Sequence, residues 1–344
     1  MPTYISGQRC STYDSSCPKK TFIKKYESST FPIKYPSSGI SFDSYYSHQD
    51  MNEYMHYLAV RFPERVCIRT VGQSFENRDI KLIHISNGVR SANKNIIFID
   101  AGIHAREWIA PATALYIIYQ LVENFEANQE LLDEFDWIVL PLVNPDGYEY
   151  SRGKFSYWRK TRSTVKSNPC RGTDANRNFA FHWDEKFAST DPCSDIFKGK
   201  QPFSEPESRI VAQILLELKG RGKFYISLHS FGNYILFPWG WTKKLPPTYG
   251  DLQYVASVGA EAIRSATGST YVYGSAASCL YPVSGSSFDY AYAVAEFPIS
   301  CVIELPGKGY RFHPIPKIIK ECVEEAWIGI KAMAIAVIKK YGRT

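Results

Sequence analysis

From residue 50 to the C-terminus, apolar runs of strand length alternate with segments of helix length. That alternation restricts the fold more than any other feature of the chain. Segments 78–84, 95–100, 136–142, 225–228 and 301–305 read as strands, the last two short, apolar and of buried type. Segments 50–61, 111–124, 205–219 and 316–340 read as helices. The first is amphipathic and ends before Pro63. The second opens on Pro111, where a missing N–H costs nothing. The expected fold is α/β: a mixed, largely parallel twisted sheet with helices on both faces. No internal repeat interrupts the pattern.

In such sheets, active sites gather at the carboxyl ends of strands. His104-Ala105-Arg106-Glu107-Trp108 directly follows the apolar run 96–99, so a strand ending there delivers His104 and Glu107 to the sheet rim. A neutral imidazole and a carboxylate suit Zn²⁺, with bonds of about 2.0–2.2 Å. Two ligands are too few, because catalytic zinc usually takes three and keeps a fourth position for water. His229 is the candidate third. It follows the run 224–228 and precedes Ser230-Phe231-Gly232. Glu304, near the end of 301–305, points to the same rim. Taken alone, an H-x-x-E pair is common by chance and reads as structural; the wider context overturns that.

Gly72-Gln73-Ser74-Phe75-Glu76-Asn77-Arg78, His104–Trp108, Tyr157-Trp158-Arg159-Lys160-Thr161-Arg162, Asp174-Ala175-Asn176-Arg177-Asn178, His229-Ser230, Leu280-Tyr281 and Ile303-Glu304-Leu305 follow one another in order. From about Phe42 to the C-terminus, the chain resembles the metallocarboxypeptidases of the pancreatic A/B type. The resemblance implies a carboxypeptidase-like sheet and one Zn²⁺ per chain, held by His104, Glu107 and His229. The metal would lower the pKa of its water and polarise the scissile carbonyl. Glu304 becomes the general base, in an apolar wall of Val302, Ile303 and Leu305 that raises its pKa. Arg162 becomes the stabiliser of the oxyanion. Arg177 offers a bidentate fork to the free C-terminal carboxylate of a substrate. Asn176 adds a donor, and Tyr281 a hydroxyl on a movable loop. Arg106 lines the channel with Ser230 and Phe231, and Asp174 orients His104. From the residues alone, Glu304 equally reads as a buried ion-pair partner and Arg159, Lys160 and Arg162 as a solvated basic patch. Asn176 reads as a turn residue, and Tyr281 is one of 24 tyrosines. His48, His56, His84, His182 and His313 match no ligand position.

Two positions depart from the family pattern. Phe231 stands where many relatives have Tyr, which removes a hydroxyl from the channel. Glu304-Leu305-Pro306-Gly307-Lys308-Gly309 lacks the Arg-Asp that often follows the glutamate. The pocket for the C-terminal side chain is expected around Phe288, with Val302, Ala276 and Gly240. Relatives specific for basic residues place an acid at the Phe288 position. An apolar floor would leave a buried ammonium unpaired, so aromatic or aliphatic C-terminal residues are expected. Asp289 turned inward would instead favour Lys or Arg. Two competing functions fit the residues less well. A catalytically silent peptide-binding relative should have lost a ligand or the glutamate. A zinc amidase of the same fold would act on small acyl-amino acids, and Arg177 and Tyr281 argue against it.

The chain has 344 residues and a net charge of +6. Residues 1–42 hold six Lys/Arg against two Asp/Glu, and the rest is near balance. Residues 1–41 read as a basic tail or the remnant of a pro-region, with Lys19-Lys20 and Lys24-Lys25 as weak cleavage signals; residues 42–344 read as the catalytic domain. The basic tail carries no nucleic-acid motif, so nucleic acid is not an expected partner. No apolar run reaches eighteen residues, so no membrane span is expected. No signal peptide is visible after Met1, yet the resemblance implies secretion, so the native start is expected to be missing or replaced. Expected partners are peptide and protein C-termini, with proteinaceous inhibitors or a pro-segment; the expected state is a monomer. Eight cysteines fit an oxidising compartment. The resemblance implies a Cys170–Cys193 bond, worth ~3 kcal/mol in the chain-entropy model. Cys10 and Cys17 could close a small loop, Cys301 reads as a buried thiol, and Cys67, Cys279 and Cys322 stay unassigned. Neither a CxxC pair nor an N-x-[ST] sequon occurs.

Overall fold

Four strands buried along nearly their whole length form the centre of the molecule: β3 (Asn95–Ala101), β4 (Phe135–Leu140), β5 (Gly222–Ser230) and β8 (Ile299–Leu305). The computed structural model describes residues 40–89, 94–164 and 168–342; the tail, with its Cys10, Cys17 and lysine pairs, lies outside them. Adding β1 (Val66–Gln73), β2 (Asp79–Ile85), β6 (Tyr234–Phe237) and β7 (Val272–Ser275) gives an eight-stranded sheet of order β1-β2-β4-β3-β5-β8-β6-β7. The central pairs β4/β3, β3/β5 and β5/β8 are parallel, and antiparallel pairs flank them.

Strand residues alternate between two cores, as period 2 requires. Ile97, Ile99 and Ala101 join one cluster while Ile96 and Phe98 join the other. Helices α1 (His48–Arg61), α2 (Ile109–Val122), α3 (Pro145–Gly153), α5 (Tyr249–Thr267) and α7 (Pro316–Tyr341) pack the first face. Helices α4 (Pro206–Glu217) and α6 (Ser287–Ala293) cover the second. The expected mixed sheet with helices on both faces is therefore present.

Boundaries shift for local reasons. Helix α1 starts at His48, because Ser47 caps it and forms a capping box with Asp50. Helix α2 starts at Ile109, which leaves Pro111 inside the first turn, where its missing N–H still has no intrahelical partner to lose. The sequence pattern did not reveal α5. Its crossing with α7 depends on two glycines: a Cβ on Gly259 would come within 2.6 Å of Met333 Sδ, and one on Gly329 within 2.6 Å of Ile263 Cδ1. The edge strands β1 and β7, and β6 next to β7, were also unforeseen; they are short or half-exposed and lack a clean alternation.

The chain leaves β3 toward β4 on one side, and β5 lies on the other. That is a topological switch point, where α/β sheets form crevices at the strands' carboxyl ends.

Candidate active site

The carboxyl ends of β3, β5 and β8 supply the site. Gly102 turns the chain out of β3 with φ 68°, a conformation that favours glycine, and a Cβ there would lie 2.7 Å from Leu142 Cδ1. Two residues later comes His104, then Glu107; the loop is tied down by the Ala105 N–H donating to Arg159 O at 3.0 Å. His229 is the penultimate residue of β5 and lies in register with Glu304, the penultimate residue of β8.

His104, Glu107 and His229 are buried and bring one ligand atom each to within 4.8 Å of the others. His104 Nδ1 lies 2.8 Å from Glu107 Oε1 and 3.0 Å from His229 Nδ1, and His229 Nδ1 lies 3.0 Å from Glu107 Oε2. Both imidazoles turn Nδ1 to one point. Their outer nitrogens are occupied: His104 Nε2 faces Asp174 Oδ1 at 3.2 Å, and His229 Nε2 faces Ser227 Oγ at 3.0 Å. Ser227 Oγ donates to Asp100 Oδ1 at 2.7 Å, so it accepts from His229 Nε2–H and leaves Nδ1 as a lone-pair donor. Asp100 also accepts the Tyr225 hydroxyl. Two imidazoles in that tautomer with a carboxylate form a donor set that fits zinc.

The charges agree with this. Burial and the nearby Arg159 push His104 below the usual histidine value. Burial also acts on Glu107, but the two imidazoles outweigh it and hold the carboxyl below its ordinary range. Burial lowers His229, but Glu107 together with Glu304 and Asp100 raises it on balance, a pull that a dication would take over. Asp174 is fully buried, and Arg159 and His104 outweigh the burial to keep it ionised. Glu304 occupies the one partly exposed position of β8, and burial, then Glu107, pushes its carboxyl up to about 7.

Asp174 heads the short turn Ala175–Arg177 and accepts from Asn176 N at 3.0 Å. Asn176 Oδ1 accepts from Ser287 N at 2.9 Å, and its Nδ2 lies 3.5 Å from His229 Nε2. Arg177 is buried; one Nη donates to Asn176 O at 2.9 Å, and Nε has no partner. Among the described residues no carboxylate lies within ion-pair distance of it. Arg106 Nη1 donates to Asp195 Oδ2 at 3.0 Å and to Tyr157 O at 3.1 Å, with its guanidinium over Phe312. Ser230 N donates to Glu107 Oε2 at 3.1 Å, and Ser230 Oγ is unpaired. Phe231 is exposed and meets Phe312 edge-on; Tyr281 is 61% exposed at the rim. Cys170 and Cys193 are bonded beside this segment, and Cys301 is a buried thiol.

One expected residue stands elsewhere. Arg162 does not reach the cluster: its guanidinium lies 3.6 Å over the Tyr150 ring and 4.5 Å over Trp158. Arg159 lies at the cluster instead, with Nε and Nη2 each 2.9 Å from Asp174 Oδ2 and Nη1 3.8 Å from Glu107 Oε1. Its backbone pairing with Ala105 turns it inward, and no composition or spacing signal separates the two arginines. Asp100 and Ser227 were also missed. Their signal was faint: Ser227 lies two residues before His229, on the same strand face.

The residues expected around the side-chain pocket lie near one another. Phe288, Ala276 and Val302 share one apolar cluster, and a Cβ on Gly240 would lie 2.6 Å from Phe288 Cζ. Asp289 is buried beside them, its Oδ2 3.1 Å from where a Cβ on Gly240 would stand, and its carboxylate is held by backbone N–H groups. Its Oδ1 and Oδ2 both accept from Gly240 N at 2.9 Å, and Oδ2 also accepts from Trp241 N at 3.1 Å.

Comparison with known proteins agrees with this geometry. A family model described as zinc carboxypeptidase matches residues 51–329. The chain is 42% identical over 303 residues to carboxypeptidase B of Helicoverpa zea, covering 85% of this chain and 70% of that one. It is 40% identical over 293 residues to carboxypeptidase B of Astacus astacus, covering 85% and 96%. The solved carboxypeptidase A of Helicoverpa armigera superposes with a TM-score of 0.83 at 36% identity, covering 88% of this chain and 76% of that one.

Proposed function

The chain belongs to the zinc carboxypeptidase family, and from that premise we propose that it removes apolar residues, aromatic or aliphatic, from the free C-termini of peptides. It is a metallocarboxypeptidase, a hydrolase of peptide bonds. The observation that carries the terminal-carboxylate reading is Arg177: a buried guanidinium without a carboxylate partner among the described residues, beside a triad fit for metal. Burying a cation unpaired is costly. The C-terminal carboxylate of a substrate would supply the missing charge.

His104, Glu107 and His229 would hold one zinc per chain, with Asp174 and Ser227 orienting the imidazoles. When bound, zinc supplies a Lewis acid that polarises a carbonyl and a water. Glu304 accepts the proton of the attacking water and returns it to the departing amine; burial, which raises its carboxyl, suits both transfers. Arg159, rather than Arg162, faces the developing oxyanion, because it is the guanidinium held at the cluster by Asp174. Asn176 and Arg177 bind the terminal carboxylate, and Tyr281 closes over it from the rim. Arg106, Ser230 and Phe231 line the way in.

The apolar preference rests on Phe288 and on the Asp289 carboxylate being already engaged by the backbone N–H groups of Gly240 and Trp241. The bulk of Phe288 against Gly240 shortens the pocket and favours Leu or Met over Trp. A preference for Lys or Arg is the second reading, favoured by the two relatives named carboxypeptidase B. The test is kcat/KM for peptides differing only in the last residue. Faster release of Phe, Tyr or Leu is expected, and faster release of Arg or Lys overturns the apolar reading. Arg177→Ala should mainly raise KM; an unchanged KM removes the carboxylate assignment.

Residues 42–344 form the catalytic domain in this reading, and deleting 1–41 should leave a folded, active enzyme. No helix among the described residues is long and apolar enough to cross a membrane. Secretion is supported by the Cys170–Cys193 bond, since disulfides persist in oxidising compartments.

A further inference from the structure

The loop 306–315 joins β8, which carries Glu304, to α7. It lacks the Arg-Asp pair expected after the glutamate, and its path is unfavourable for an ordinary chain. Lys308 and Arg311 adopt φ 43° and 56°, with Gly309 at 85° between them. A Cβ on Gly307 would lie 2.7 Å from Arg311 O, so the loop folds tightly on itself. Non-glycine residues stay in the left-handed region only where the surroundings hold them there.

The holding group is on α7. Lys308 Nζ lies 2.7 Å from Glu325 Oε2 and 3.1 Å from Glu321 Oε1. Glu325 is buried and accepts two further hydrogen bonds, from Ser269 Oγ at 2.7 Å and from Tyr271 OH at 3.1 Å. Ser269 and Tyr271 lead into β7, the strand that precedes the Tyr281 arm. One buried carboxylate therefore ties the loop after the base to the segment before the rim tyrosine. At the far end of the loop, His313 Nε2 contacts Ser156 O at 3.1 Å and Pro314 O accepts Tyr45 OH at 2.7 Å. Between these anchors Phe312 is presented to the channel. Its ring meets Phe231 at 5.0 Å and Tyr157 at 6.3 Å, under the Arg106 guanidinium at 4.5 Å.

We propose that Glu325, acting through Lys308, is a positioning residue that sets the Phe312 wall of the substrate channel. The inference rests on reading the site as a channel for extended peptides. Its effect is selective: residues at the scissile bond do not depend on Phe312, whereas residues further from the C-terminus do.

The test compares a blocked dipeptide with a blocked tetrapeptide sharing its last two residues. In Lys308→Met the advantage of the tetrapeptide should fall about 3–10-fold, the scale of coupling through a packed network. KM should carry the change. Lys308→Arg should keep the parent ratio. Lys308→Met leaves Glu325 as a buried, less-paired charge, so Lys308→Met/Glu325→Gln provides a second variant whose fold does not depend on the pair. Hydrogen exchange of amides 306–313 is read on the same proteins and should be faster in both. An unchanged length ratio, an equal loss on both peptides, or parent-like exchange overturns the proposal. An inactive parent enzyme would count against the reading of the site, while the exchange measurement would still decide the anchor.

Discussion

Removing the Ser227 hydroxyl should loosen the metal without touching a ligand. In the structure His229 Nε2 has Ser227 Oγ at 3.0 Å as its acceptor; the neighbouring Asn176 Nδ2, at 3.5 Å, is a donor and cannot replace it. In Ser227→Ala the buried Nε2–H either stays unpaired, at about 1–3 kcal/mol, or moves to Nδ1 and blocks the metal-facing lone pair. Loss of such outer partners costs about 10–100-fold in metal affinity, or about 1.4–2.7 kcal/mol. Asp100 keeps the Tyr225 hydroxyl, so the variant should fold. The assay is competition for zinc with a chelator of known affinity, paired with thermal melts with and without zinc. The metal-free variant should melt no higher than the metal-free parent, since Asp100 also loses a donor, and zinc should raise the melting temperature less in the variant than in the parent. Zinc affinity within twofold of the parent, measured in the same competition, would refute the relay from Asp100 through Ser227.

Glu304→Gln should keep its zinc and lose about 10²–10⁴ in kcat, which metal analysis and steady-state kinetics read together. Near-normal turnover would remove Glu304 as the base. Phe288→Asp should raise kcat/KM on C-terminal Arg by on the order of 10–100-fold, the scale of a charge-assisted hydrogen bond; no gain would mean that Phe288 is not at the pocket floor. Glu207, fully buried in the first turn of α4, is raised from 4.5 to about 8 by burial and then by Glu205. Its folded pKa lies above the unfolded one, so its contribution is best below pH 4.5 and is lost as pH rises to 8, by at most about 5 kcal/mol. Glu207→Gln should therefore gain stability over the parent in denaturant unfolding as pH rises from 5 to 8, and a pH-independent difference would refute the assignment.

What the sequence by itself determined is local. A strand is a short apolar run, and the residues just after it must lie at the sheet's rim. That was enough to bring His104, Glu107, His229 and Glu304 toward one edge and to expect a mixed sheet covered on both faces. Motif order added Asp174, Asn176 and Arg177, which the fold gathers within hydrogen-bonding reach of the triad or of one another. Only the tertiary structure decided which of two arginines contacts Asp174 and Glu107. Arg159 and Arg162 are three residues apart on one segment, and in sequence both are simply basic. The backbone pairing of Arg159 with Ala105 turns one inward, and the rings of Tyr150 and Trp158 hold the other away. The direction of Asp289 was equally undecided by sequence, because the N–H groups of Gly240 and Trp241 that hold its carboxylate lie about fifty residues away in the chain. Asp100 and Glu325 act through partners distant in sequence, and no local pattern reports them. A side chain's direction depends on contacts between segments that meet only when the sheet closes, whereas period and rim position are properties of each segment alone.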